Sequence, residues 1–385
     1  MLCYGKLQVL KEMRILAGFG GFWRDAAFFP KQTKSVSLFI SDSFFNYGAE
    51  PGNLWKTSDR PSLACVSVLA PFCYDEGRNF SGPWGVIVPK RHDRQQPNSR
   101  PREPAMKVFS SLPAWAAHRR ALQGSLGLVP TMGYLHEGHF SLVRRSLAEN
   151  DSTVVWTFVN ARQFDASPDF AAYPRDMERD LRLLEELGTN LVLAPREDEV
   201  YPEGFQTYVK VEEVAGPLEG LHRPGHFRAV TTVVAKMLCL TQAHRAYFGQ
   251  KDAQQNVVVR RMVGDLGIPA VIVVCPTVRE SDGLALSSRN VNLSPPERMA
   301  ATVLYRALRE AEGAIACGER EGDALRARMG AMLTAEPLAR VDYVSIADPD
   351  TLQECATVSG PVLASLAVHI GKTRLIDNIT IGADP

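Results

Sequence analysis

From Met106 onward, short apolar runs alternate with longer segments whose apolar positions recur every three to four residues. The runs at 127–130, 153–159, 190–194, 246–248 and 270–275 read as strands, with a further strand near 207–211. Helices are predicted between them at 140–150, around 176–187, near 230–240 and at 252–267. Apolar strands separated by amphipathic helices require cover on both sheet faces, so this pattern specifies a doubly wound, parallel α/β domain over 106–278. After Val278 the rhythm changes to a helix from about 295 to 316, another from about 321 to 333, and strands near 341–346 and 362–370. Helices followed by strands without a crossover rhythm predict a smaller α+β domain over 279–385. The crevice at the carboxyl ends of the parallel strands is the expected site.

The first 105 residues differ. Their apolar patches are short and build no periodic segment, and the stretch 90–104 (KRHDRQQPNSRPREP) is basic, polar and broken by proline, which is linker composition. A poorly structured extension ending in a mobile linker is expected. It is a targeting segment, an extra module, or sequence ahead of a natural start at Met106; two Arg and no Ser before Ser35 fit a transit peptide poorly. The chain of 385 residues has 43 Lys+Arg and 43 Asp+Glu, but this balance hides two unlike parts. Residues 1–105 hold 14 Lys/Arg against 9 Asp/Glu, and 106–385 hold 29 against 34. A nucleic-acid contact would have to rest on the basic linker, and no such partner is expected. No apolar run approaches the roughly 18 to 20 residues of a spanning helix, so no membrane partner is expected either. The seven cysteines form no CxxC pair, which argues against a disulfide or zinc scaffold and fits a reducing, cytoplasmic setting. Cys239 and Cys275 lie in apolar runs and are expected to be buried thiols.

The sharpest chemical signal is PTMGYLHEGH (130–139), between the first strand of the 127–130 run and the next helix. A strand end meets a helix N-terminus there, where free backbone N–H groups and the helix dipole favour an anion. Gly133 and Gly138 permit close backbone approach, and His136 and His139 can donate to phosphate oxygens or hold a proton. The i, i+3 histidines could instead hold a metal or be structural, although no third ligand is evident nearby. Lys251 follows an apolar strand and can neutralise phosphate charge, with Asp252 opening the next helix. Ser287, Ser288 and Arg289 offer two hydroxyls and a guanidinium in one loop. Gln163 and Gln255 are neutral groups suited to hydroxyl and carboxylate oxygens.

The His136-Glu-Gly-His139 string is the HxGH mark of a nucleotidyl-transferring α/β superfamily that includes class I aminoacyl-tRNA synthetases. The longer string VPTMGYLHEGHFSLV resembles the AMP-forming pantoate–beta-alanine ligase family, as do FVNARQF (158–164), YPR (173–175), RPGHFRAVTTVVAKML (223–238), YFGQKDAQQ (247–255) and PTVRESDGLALSSRN (276–290). These blocks run in order through nearly all of 106–385, and residues 1–105 have no counterpart among them.

The resemblance implies a Rossmann-like fold and ATP-dependent condensation of pantoate with beta-alanine through a pantoyl adenylate. By resemblance, Met132, Gly133, His136, Gly138, His139, Gly249, Lys251, Asp252, Val278, Ser287, Ser288 and Arg289 contact ATP. Gln163 and Gln255 hold pantoate or beta-alanine; His139, His136 and Lys251 are the catalytic candidates. Magnesium bridging the phosphates is expected without an all-protein cage, and the resemblance implies a homodimer. The alternative enzyme, a nucleotidyltransferase acting on a phosphate or amine metabolite, leaves the two glutamines and the SSRN block unexplained. The chain departs from the family pattern at Ala161, where proline is usual, at Ala229, where glycine is usual, and through 165–169.

Overall fold

A computed structural model describes residues 106–164 and 168–382. The expectations for the extension and linker, and the core of the atypical 165–169 segment, lie outside the described residues.

Six parallel strands form one sheet: β1 (Lys107–Phe109), β2 (Leu126–Thr131), β3 (Ser152–Thr157), β4 (Leu191–Leu193), β5 (Arg245–Gly249) and β6 (Val271–Cys275), in the order β1-β4-β3-β2-β5-β6. Numbering only helices of ten or more residues, its crossovers carry α1 (Leu112–Ala121), α2 (Glu137–Glu149), α3 (Met177–Glu186), α4 (His226–Thr241) and α5 (Ala253–Asp265). Period-two alternation divides the strand side chains between two cores. Leu128, Trp156, Leu193 and Phe248 meet Trp115 of α1 and the apolar stripes of α4 and α5. Val129, Val155, Val192 and Tyr247 meet Leu142 and Val143 of α2 and Leu184 of α3. Burial on both faces explains why these strands read as near-continuous apolar runs. The connection leaving β2 carries α2 over one face of the sheet and the connection leaving β5 carries α5 over the other, so β2 and β5 flank the switch point where such sheets bind ligands.

The second sheet is antiparallel, in the order β7 (Ala339–Ala347), β8 (Val362–Ile370), β9 (Thr373–Ile381). One face packs Ile346, Ala364, Leu366 and Val368 against α6 (Val303–Ala316) and α7 (Gly322–Thr334). The other presents Tyr343, Leu363, Ser365 and Asn378 to a cavity shared with the parallel sheet's carboxyl edge. Among the described residues, no helix is long and apolar enough to cross a membrane.

Several expectations are corrected. The 207–211 segment forms no regular secondary structure and pairs with no strand. Its central residue is served by hydroxyls of α4 instead: Val209 N donates to Thr232 Oγ1 at 3.0 Å, and Thr231 Oγ1 donates to Val209 O at 2.7 Å. The helix expected over 295–316 is two helices, Pro295–Ala300 and α6. At the break the Thr302 hydroxyl donates to Met299 O at 2.8 Å while backbone bonds tighten to i−3, a local competition that threonine favours. Cys239 is exposed, on the outward side of α4, while Cys275 is buried as expected. Strand β9 was not expected, because Arg374, Asp377 and Asn378 interrupt its apolar alternation.

Candidate active site

The cavity opens at the end of β2. There the chain turns through Gly133 (φ +80°) and Tyr134 (φ +51°), backbone that glycine tolerates and a tyrosine adopts only under constraint. The constraint is Asp180 of α3, 1 % exposed, whose carboxylate accepts Tyr134 N at 2.6 Å and Leu135 N at 2.9 Å. Burial raises the Asp180 carboxyl, and the two backbone donors oppose that rise. Nothing in the sequence pattern singled out this aspartate.

His136 then caps α2. Its Nδ1 accepts Gly138 N at 3.2 Å, and its own N–H donates to His139 Nδ1 at 3.3 Å, a reciprocal box made by two histidines. The rings stack with centroids 4.1 Å apart. A Cβ at Gly138 would lie 2.9 Å from His136 Cε1, so this glycine is required by the ring beside it. Burial, then neighbouring Lys251, lowers His136 to about 4. Burial, then His136 and Lys251, lowers His139 to about 3. Both imidazoles are therefore neutral at pH 7. With each Nδ1 accepting from backbone, the proton sits on Nε2, which makes each ring a neutral Nε2–H donor in a cavity it lines.

From β5 the chain enters a short 3-10 turn, Gln250–Asp252, before α5. Gly249 leaves open space, since a Cβ there would meet nothing within 4 Å. Lys251 lines the cavity with Nζ 3.5 Å from Asp252 Oδ1. Asp252 occupies the N-cap of α5 but makes no capping bond with its side chain, which turns to Lys251 instead. The third segment is the 279–289 loop. Val278 O accepts Leu286 N, Ser287 Oγ accepts Arg289 N, and Ser288 Oγ donates to Tyr134 O at 3.2 Å, tying this loop to the turn after β2. The Arg289 guanidinium lies 5.9 Å from the Tyr173 ring.

Gln163 sits in a 3-10 turn after β3. Its amide donates to Met132 Sδ at 2.9 Å and accepts Asn160 Nδ2 at 3.2 Å. Its backbone carbonyl accepts Arg223 at 3.0 Å and the Nδ1–H of His226 at 2.9 Å. Burial, then Arg223, lowers His226 to about 4, so it too is neutral. Gln255 lines the same cavity from α5. Of the fourteen candidates, all but Gly133 line this cavity; Gly133 faces a neighbouring cleft with Thr157 and Asp180 and acts through its backbone turn. Sequence reasoning missed the ion pairs that close the cavity from the C-terminal side. Arg374 forks onto Glu219 at 2.7 and 2.8 Å and reaches Asp342 at 2.8 Å, and Arg279 forks onto Asp377 at 2.6 and 2.9 Å. Among the described residues, no group of three or more His, Cys, Asp or Glu could hold a metal.

A parallel sheet whose switch point carries HEGH at the head of a crossover helix is the architecture of the HxGH class of α/β nucleotidyl-transfer enzymes, and this chain is of that class. The sequence model described as Pantoate-beta-alanine ligase matches residues 105–380. A pantothenate synthetase of Roseiflexus sp. (strain RS-1) is 60% identical over 278 residues, covering 72% of this chain and 100% of that protein. The crystal structure of pantothenate synthetase from Thermus thermophilus superposes with a TM-score of 0.69 at 47% identity, covering 71% of this chain and 99% of the other. The ligase from Francisella tularensis, complexed with beta-gamma ATP and beta-alanine, gives 0.60 at 34% identity, covering 71% and 97%. The chain belongs to the pantoate–beta-alanine ligase family.

Proposed function

We propose that His136, His139 and Lys251 carry the adenylation step of a pantoate–beta-alanine ligase. The chain catalyses the ATP-dependent condensation of pantoate with beta-alanine through a pantoyl adenylate, releasing AMP and pyrophosphate. A pantoate carboxylate oxygen bonds to the α-phosphorus as the bond to pyrophosphate breaks. The beta-alanine amine then bonds to the acyl carbon as the bond to AMP breaks, and the nitrogen gives up a proton to solvent. Such chemistry needs positioning and charge stabilisation more than a nucleophilic side chain.

The observation that carries the assignment is the pair of neutral Nε2–H imidazoles lining one cavity with Lys251. We assign these three groups to the charge that develops on the transferring phosphate, because preorganised donors in a desolvated site cost no reorganisation. Ser287, Ser288 and Arg289 take the departing pyrophosphate. The turn built from Met132, Gly133 and Gly138, with Gly249, Asp252 and Val278, surrounds the rest of ATP. Gln163 and Gln255 take pantoate, and Gln163 is held for this by Arg223, His226 and Asn160.

Of the cavity carboxylates, Glu219 and Asp377 are engaged by arginines, leaving Asp252 as the one without an arginine fork among the described residues. This donor set fits a magnesium ion that takes its ligands from substrate phosphates, water and at most Asp252. Bound there, magnesium would neutralise phosphate charge. We further assign 106–278 as the catalytic domain and 279–385 as the smaller one, in a cytoplasmic homodimer, as family membership suggests.

The test is AMP release from ATP with pantoate and beta-alanine added singly and together. AMP should appear only with both, and pyrophosphate exchange should require pantoate alone. Release independent of either substrate would overturn the assignment.

A further inference from the structure

We propose that Asp377 and Asn378, consecutive residues of β9, are positioning residues that fasten both phosphate-handling segments to one strand of the C-terminal sheet. Consecutive residues of a strand project to opposite sides, and each of these two serves a different segment. Asn378, 4 % exposed, donates from Nδ2 to Gln250 O at 3.0 Å and to Lys251 O at 2.8 Å, and its Oδ1 accepts Gln250 Nε2 at 3.1 Å. The turn that presents Lys251 is thus bonded three times by one amide. Asp377, 2 % exposed, takes both arms of Arg279, which also donates to Gly283 O at 3.1 Å and Asn378 O at 3.1 Å. Arg279 further stacks 4.1 Å above Tyr305 of α6. The loop that ends in Ser287–Arg289 is therefore held by the residue next to the one that holds Lys251.

The ladder of the C-terminal sheet is made by backbone, and Asn378, opposite Ser365, lies on the face away from the core that packs against α6 and α7, while Asp377, opposite Leu366, lies on the core face. A buried ion pair is a weak source of net stability but a strong constraint on geometry. What the dipeptide fixes is the separation between a cation on the catalytic domain and a phosphate loop on the smaller domain. Those two segments act on the same triphosphate, and a misplacement of about 1 Å in such a step can cost about a hundredfold.

This inference rests on the assignment of Lys251 to the phosphate, so Lys251→Ala is measured alongside. The decisive variant is Asn378→Asp, which keeps the shape and the acceptor for Gln250 but sets a carboxylate against two carbonyl oxygens. Pantoate-dependent pyrophosphate exchange should lose about tenfold to a hundredfold in kcat, with KM for pantoate within about twofold of wild type. Met329→Ala, a cavity in the buried layer between α7 and the sheet, serves as a control that lowers stability without touching the turn. If Asn378→Asp keeps its exchange rate, or loses it only in step with thermal stability as Met329→Ala does, the positioning role is wrong. Should Asn378→Asp fail to fold, Asn378→Ser, which cannot span both carbonyls, is read by the same criteria. Exchange retained by Lys251→Ala would instead remove the assignment beneath the inference.

Discussion

The two sheets meet the cavity in opposite ways. On the parallel-sheet side, polar groups are half engaged: His136 and His139 accept backbone donors at Nδ1 and keep Nε2–H for the cavity, and Gln163 is anchored through its backbone carbonyl while its amide lines the site. Along the antiparallel sheet, charges are matched to one another: Arg374 with Asp342 and, across the cavity, with Glu219 of the parallel-sheet domain, and Asp377 with Arg279. Burial pushes the Glu219 carboxyl up, but the Arg374 fork and Arg223 outweigh it, leaving the group below its usual range. One region therefore offers donors to a ligand, and the other spends its polar groups on geometry. The division follows the two sheets and not the two domains, since Glu219 belongs to the 106–278 domain and the ligand-facing Ser287–Arg289 loop to 279–385.

The division is broken most directly at His139. His139→Ala should lower pyrophosphate exchange by about 10²–10³-fold at saturating substrates, the scale of losing a preorganised donor to developing charge. Its stability cost should stay near the ~1 kcal/mol of a lost helix cap. Exchange within tenfold of wild type would mean the half-engaged side is scaffold after all. The reverse variant is Glu219→Ala, which leaves Arg374 and Arg223 without their shared buried carboxylate. Denaturant unfolding should show a loss of about 3 kcal/mol or more, while exchange at saturating substrates falls far less than in His139→Ala. An equal loss of exchange in a fully folded Glu219→Ala protein would place the matched side within the chemistry.

What the sequence made legible follows the same line. Strands β2, β3, β5 and β6 and helices α2 to α5 were readable because burial on both faces leaves apolar runs and helical stripes that few other structures produce. The half-engaged residues were readable too, since their motif is local: ten consecutive residues hold the turn, the cap and both histidines. The matched residues were not. Glu219 and Arg374 are 155 positions apart, and Arg279 and Asp377 are 98 apart, so no spacing rule connects them. Asp180, which holds the turn after β2 from 46 positions away, was invisible for the same reason. Strand β9 was hidden because the polar residues that make it useful also break the alternation that marks a strand.

Acidification gives the smallest and most selective test of the half-engaged side. Burial is the first cause of the lowered values of His136, His139 and His226, at about 4, 3 and 4, and His369 shifts in the same direction. In the unfolded chain these imidazoles titrate near the ordinary 6.5, so between 6.5 and 4 the unfolded state binds protons that the folded state refuses. Folding stability is fully present above pH 6.5 and is lost as pH falls from there toward 4. His136, His139 and His226 each contribute about 1 kcal/mol of that loss by about pH 5.5, before most carboxylates begin to titrate. His139→Asn retains an oxygen to accept His136 N but removes one titrating ring, so the drop in unfolding free energy from about pH 7.5 to about 5.5 should shrink by about 1 kcal/mol. An unchanged drop would mean that His139 titrates normally in the folded protein. Its Nδ1 would then carry a proton near pH 6 and could not accept from the backbone, and the contrast between an open and a matched side of the cavity would lose its chemical basis.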